Sequence, residues 1–160
     1  ASLWLSACSP YCGLALPWWW DTYIEARNLY PVMAAAGRFV AGEDRRERFG
    51  EWVRKSLGGG VQAVGIMDSQ GARLYIFNAD WIKTPESRGP NLLTAPAALE
   101  LTGLIDGGYH VEFWDAKEGR VFASTVGVSK EGHLTIDLTA HAGEIGIKVD
   151  RKVRVAPGLK

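Results

Sequence analysis

From residue 61 to residue 149 apolar and polar side chains alternate with a period of two, and before residue 57 they do not. Seven short segments carry the alternation: 61–67, 73–78, 98–104, 109–114, 120–128, 133–138 and 144–149. Turn-forming runs separate them, including Asp68-Ser69-Gln70-Gly71, Asp106-Gly107-Gly108, Lys117-Glu118-Gly119 and Lys130-Glu131-Gly132. Tyr109, Val111 and Phe113 fall on one face, and His110, Glu112 and Trp114 on the other. Leu134, Ile136 and Leu138 oppose His133, Thr135 and Asp137, while Ile145, Ile147 and Val149 extend the apolar face. Short strands at this spacing predict a mainly β fold, an antiparallel β-sandwich of seven to eight strands. A loop rich in proline and glycine interrupts them at 79–96.

The first part of the chain follows another rule. Leu29, Val32, Met33, Ala36, Phe39 and Val40 recur at steps of three and four, which predicts a helix over 29–41. Asn28 is a suitable N-cap, Pro31 suits the first turn, and Gly42 is a suitable stop. The mixed charges of 43–55 read as a solvated face or linker. Gly58-Gly59-Gly60 is the clearest boundary. The expected organisation is therefore a first unit over 1–57, a sandwich over 58–152 and a tail over 153–160.

Composition narrows the function. The chain has 160 residues, with Lys+Arg 18 and Asp+Glu 18, so no net field draws it to nucleic acid or an anionic membrane. At 47% hydrophobic and 22% charged it is a globular sequence, and no apolar run is long enough to span a membrane. Two cysteines are too few for a disulfide framework. A complete (β/α)8 barrel needs about 250 residues, more than this chain holds. The opening Ala1-Ser2-Leu3-Trp4 has no signal-peptide pattern and reads as the interior of a longer polypeptide or a mature product.

Pro17-Trp18-Trp19-Trp20-Asp21 is the strongest local signal. Three consecutive indoles cannot all enter one small core. Their apolar faces and N–H donors, with a carboxylate beside them, suit the C–H faces and hydroxyls of sugar rings. A structural aromatic cluster is the competing reading. Asp21 and Glu25 are the local carboxylates, but nothing in their spacing separates an acid from a base.

The stretch Gly13-Leu14-Ala15-Leu16-Pro17-Trp18-Trp19-Trp20-Asp21-Thr22-Tyr23-Ile24, with Ala1-Ser2-Leu3-Trp4 before it and Asn28-Leu29-Tyr30 after it, resembles the last βα unit of a family of retaining glycoside hydrolases. These are cellulase- and mannanase-like (β/α)8 barrels with an appended C-terminal β-sandwich. Gly107-Gly108-Tyr109-His110-Val111-Glu112-Phe113-Trp114-Asp115 with Gly119-Arg120-Val121 resembles a hairpin of that sandwich, and 144–149 its closing strand. The resemblance implies that residues 1–5 form the eighth barrel strand, 8–21 its active-site loop and 29–41 its helix. It implies substrate-side roles for Trp18, Trp19, Trp20 and Asp21, a β-glucan- or mannan-class carbohydrate as ligand, and an extracellular or periplasmic location. It also implies that the rest of the barrel, in the same or another chain, is a partner. Retaining hydrolysis needs two carboxylates about 5–5.5 Å apart. In this family they lie upstream of Ala1, so the chain by itself carries no catalytic pair. Ser6-Ala7-Cys8-Ser9-Pro10-Tyr11-Cys12 also departs from the small, glycine-rich segment expected there.

Cys8 and Cys12 suit either a local disulfide or two free thiols, and the three dispersed histidines suggest no catalysis. Neither a metal nor any other cofactor is implied. Trp81 and Trp114 could serve as a second sugar surface or as the contact through which the sandwich docks on the preceding unit. Three functions follow: the C-terminal part of a glycoside hydrolase, a non-catalytic carbohydrate-binding module, or a protein-interaction sandwich. The resemblance favours the first.

Overall fold

A computed structural model describes residues 2–10, 20–80, 92–93, 97–138 and 140–152. Ten strands are found among them: β1 Glu51–Gly58, β2 Val61–Asp68, β3 Gly71–Asn78, β4 Leu92–Leu93, β5 Ala97–Thr102, β6 Gly107–Asp115, β7 Arg120–Ser129, β8 His133–Leu138, β9 His141–Ala142 and β10 Ile145–Arg151. Two helices precede them, α1 Ser2–Ala7 and α2 Tyr30–Val40, with a single π-helical turn, Trp20–Glu25, between the two.

Six strands form one antiparallel sheet in the order β1-β2-β3-β10-β6-β7. The pair β5-β8 packs over one face of it, and β4-β9 is a short further pair. The alternation of the sequence explains this layering. Ala72, Leu74 and Ile76 of β3, Tyr109, Val111 and Phe113 of β6, and Ile145, Ile147 and Val149 of β10 all point to one side. They meet Leu99 and Leu101 of β5 and Leu134, Ile136 and Leu138 of β8, forming the sandwich core. The Tyr109 hydroxyl bridges two loops below this core, donating to the Ile105 carbonyl at 2.7 Å and lying 3.2 Å from that of Ser69.

The opposite face of the large sheet carries the helices. Trp4, Ala7 and Cys8 of the N-terminal segment and Ala36 and Phe39 of α2 bury against Val64 and Tyr75. One row across the sheet runs Val64–Tyr75–Gly146–Trp114. Gly146 is the dent in that row: a Cβ there would collide with the Trp4 ring and press on Phe39. The Trp4 indole therefore sits directly on backbone, 4.8 Å from the Phe39 centroid and stacked at 6.1 Å on Tyr75. Its Nε1 donates to the Ala116 carbonyl at 3.0 Å.

The seven expected strands are all present, and the fold is mainly β. Four expectations are corrected. The strand expected over 1–5 is not formed by its described residues: Ser2–Ala7 is helical. An unpartnered strand would leave its backbone groups unsatisfied, whereas a helix pairs them internally and still buries Trp4 and Ala7. Asn28 does not cap α2. It has φ 48°, and its N–H donates to the Glu25 carbonyl while that of Leu29 reaches Ile24, so Asn28 ends the π-helical turn instead. Gly58-Gly59-Gly60 is no boundary between units. Gly59 and Gly60 make the hairpin turn between β1 and β2, with positive φ at all three glycines. Finally, 43–55 is not a solvated linker: it contains the start of β1 and the most buried ion cluster of the molecule's described part.

Candidate functional site

The site is built on the helix-covered face of the sheet. Trp20 and Asp21 open the π-helical turn. Such turns are uncommon and recur at functional positions. Asp21 is exposed, and its Oδ1 accepts the Thr22 N–H at 2.8 Å. Ile24 is buried beneath the turn, while Tyr23 stays exposed with the Arg27 guanidinium 4.9 Å from its ring centre. Trp18, Trp19 and Trp81 lie outside the described residues, as does the side chain of Trp20.

Below the turn is a cavity of about 410 Å³. Leu3 and Trp4 of α1, Ile24, and Leu29, Val32 and Met33 at the start of α2 supply its apolar wall. Asp115 and Lys117 from the β6–β7 turn and Glu144 before β10 supply its polar edge. Asp115 is committed to the turn, since its Oδ1 accepts the N–H groups of Lys117 and Glu118, each at 2.8 Å. Its other oxygen lies 3.4 Å from Nε2 of His141, whose ring stacks on Phe122. Burial pushes the Tyr75 phenol far above its usual range, and the nearby Glu144 carboxylate adds to the effect. The arrangement can hold an apolar ring with hydroxyls at its edge. It does not pair two free carboxylates for acid–base work.

α2 is fixed on the sheet along its C-terminal half. Arg38 donates from Nε to the Gly119 carbonyl at 3.0 Å and from a terminal nitrogen to Glu118 at 2.7 Å. Gly119, at φ 62°, lets the turn press against the Ala35 backbone where a Cβ would collide. Trp114 is half-buried on the face opposite the sandwich core, and its ring meets Phe39 edge-on at 5.5 Å. Its Nε1 donates to Glu112 at 2.9 Å.

No protein-family model matches this chain, and no curated protein matches it either. The residues themselves must carry the reading.

Sequence reasoning missed the centre of this face. Glu43 is nearly buried and receives Arg45 at 2.8 Å, Arg73 at 2.6 Å and Lys148 at 2.9 Å. Arg73 also binds Asp150 at 2.9 Å. Burial opposes the Glu43 charge, but Arg73 and the hydrogen bonds from Lys148, Arg45 and Arg73 outweigh it and hold the carboxyl below its usual range. The Lys148 ammonium also lies 5.1 Å from the Phe39 ring centre and 5.0 Å from that of Trp114. Nothing local signals this cluster, because its members are brought together only by the β3–β10 pairing and the return of the chain after α2. Arg48 pairs with Asp68 beside it, and the rings and guanidiniums of Arg48, Phe49 and Arg73 stack in series.

Cys8 is a fully buried free thiol beside this cluster. Burial pushes it far above the usual thiol range, with Arg45 acting in the opposite sense. Cys12 lies outside the described residues. Among the described residues there is no cluster of metal-binding side chains and no helix long and apolar enough to cross a membrane.

Proposed function

We propose that this chain is the C-terminal portion of a retaining glycoside hydrolase acting on a β-linked poly- or oligosaccharide of the β-glucan or mannan class. Trp18, Trp19, Trp20 and Asp21 supply a substrate-side wall. The β-sandwich is the rigid support that carries it. The catalytic carboxylates belong to a barrel segment outside this chain, and the enzyme works outside the cell or in the periplasm.

One observation supports the reading best. The π-helical turn that begins at Trp20 runs into α2, and α2 is clamped to the sandwich by Phe39, Trp114 and Arg38. Trp20, the last residue of the tryptophan run, is thus joined through the backbone to a rigid scaffold, as positioning of a sugar requires. On the outward side of the same segment Tyr23, Tyr30 and Val32 are exposed at 43%, 49% and 40%. Exposed apolar residues at the mouth of a cavity are the surface on which the remaining barrel would sit.

Affinity electrophoresis of the 160-residue chain through gels containing barley β-glucan or glucomannan tests the sugar-binding part. Retardation is expected in at least one gel. It should disappear when Trp18, Trp19 and Trp20 are changed together to alanine. It should persist in Trp52→Ala, which removes an exposed tryptophan from β1. Unretarded migration in both gels would count against the proposal, as would retardation that survives the triple change.

A further inference from the structure

We propose that β7 is a self-pairing edge, through which two copies of this chain join antiparallel across a two-fold axis. This does not rest on the glycan reading. The six-stranded sheet has two edges, β1 and β7. Edge strands present unpaired N–H and C=O groups, and proteins usually blunt them with charge, proline, bulges or a covering element. β1 is blunted in two of these ways. It carries Glu51, Arg54 and Lys55, and its register with β2 shifts between Ser56 and Gly58.

Among the described residues β7 lacks such protection along most of its length. Its register shift falls at its start, opposite Phe113 and Trp114, and from Ala123 to Ser129 the pairing with β6 is unbroken. That stretch, Ala-Ser-Thr-Val-Gly-Val-Ser, contains no charge and no proline. Val126 and Val128 are 56% and 57% exposed on its outer face. The chain does not cover the edge with β8 either. After the corner at Lys130 and His133, β8 leaves for the second sheet. A cleft of about 240 Å³ floored by Val111 and Phe113 separates the two strands.

The occupant is a second copy because an antiparallel strand pair about a two-fold axis is self-complementary. With Val126 on the axis, Val126 faces its own copy and Val128 faces Ser124, while Arg120 and Lys130 fall opposite the uncharged Gly132 and Phe122. The chain carries no net charge, so the copies do not repel each other at long range. Joining two six-stranded sheets gives one continuous sheet of twelve.

Light scattering on the full chain at increasing concentration is the test. The expected mass approaches about 35 kDa, twice the 17.5 kDa chain. The double variant Val126→Lys, Val128→Lys should stay at monomer mass with unchanged circular dichroism. Trp52→Lys, at an exposed position of the opposite edge strand β1, should dimerise like the parent. Hydrogen exchange of the parent chain supplies a readout independent of any variant: amides at 123–129 should slow as the mass doubles. A parent chain that remains monomeric overturns the proposal. So does dissociation by Trp52→Lys in place of the β7 changes, or a doubled mass with unaltered exchange at 123–129.

Discussion

Replacing Glu43 by glutamine should cost about 3 kcal/mol of stability at neutral pH, the lower end of the range for breaking a buried ion pair. The figure is low in that range because the cations are not equally stranded. Arg73 keeps Asp150, and Arg45 has a side chain 26% exposed that can turn to water. Lys148 has no such relief, since its side chain is only 12% exposed and its ion-pair partner is Glu43. The expected signature is pH-dependent. The Glu43 carboxyl is held below its ordinary value of 4.5 in the folded state, so it binds protons more weakly folded than unfolded. Its contribution is therefore complete above about pH 4.5 and is lost as the pH falls toward the folded value. Asp68 acts in the same sense: although burial opposes its charge, hydrogen bonds from Arg48, Gln70 and Phe49 hold it below its ordinary value of 3.8. Urea unfolding at neutral pH and at several acid values should show the gap between parent and Glu43→Gln closing on acidification. A gap that stays constant with pH would mean that Glu43 acts by packing alone.

Trp4→Ala should cost about 3–5 kcal/mol, the range for removing a large aromatic from a core. Trp4 is 2% exposed and fills the dent left by Gly146. Its loss removes ring contacts with Phe39 and Tyr75 and strips the Ala116 carbonyl of its indole donor. α1 is only six residues long and has no stability of its own, so it should detach. The urea midpoint should fall, and limited proteolysis should cut within the first thirty residues. Trp4→Phe, which keeps an apolar ring but no donor, should recover part of the loss. A cost below about 1 kcal/mol would show that α1 is not needed to close this face.

The sandwich was legible in the sequence where its strands are half-buried, as β5, β6 and β8 are. A strand with one face in the core must alternate, and the alternation of 109–114 and 133–138 survives unchanged in β6 and β8. β1 was hidden for the converse reason. Of its eight residues, Val53 is the only one buried, so its charges made it look like linker. The pairs β4 and β9 are too short, at two residues each, to leave any periodic trace. The layer on the other face was half legible. α2 announces itself through Ala36 and Phe39, but α1 does not, because a short apolar stretch suits strand and helix equally.

The candidate site divides along the same line. The tryptophan block is contiguous, so it stands out in the sequence alone, as a sugar platform or as a structural aromatic cluster. Trp114 could be assigned to the face opposite the core by counting along β6, yet only the packed structure puts Phe39 against it. Glu43, Arg73 and Lys148 come from a loop and two strands distant in sequence, and no spacing rule joins them.

By itself, then, the sequence determined the mainly β character, seven of the strands with most of the turns between them, the long helix and, in strands such as β6 and β8, which side faces the core. These are local consequences of period and turn chemistry. The tertiary structure alone decided that Ser2–Ala7 coils into a helix, that the Glu43 side chain is nearly buried, and that among the described residues one sheet edge is guarded by charge and a register shift and the other is not. Those outcomes depend on which surfaces meet, and burial energy is a property of the contact between segments and of neither segment alone.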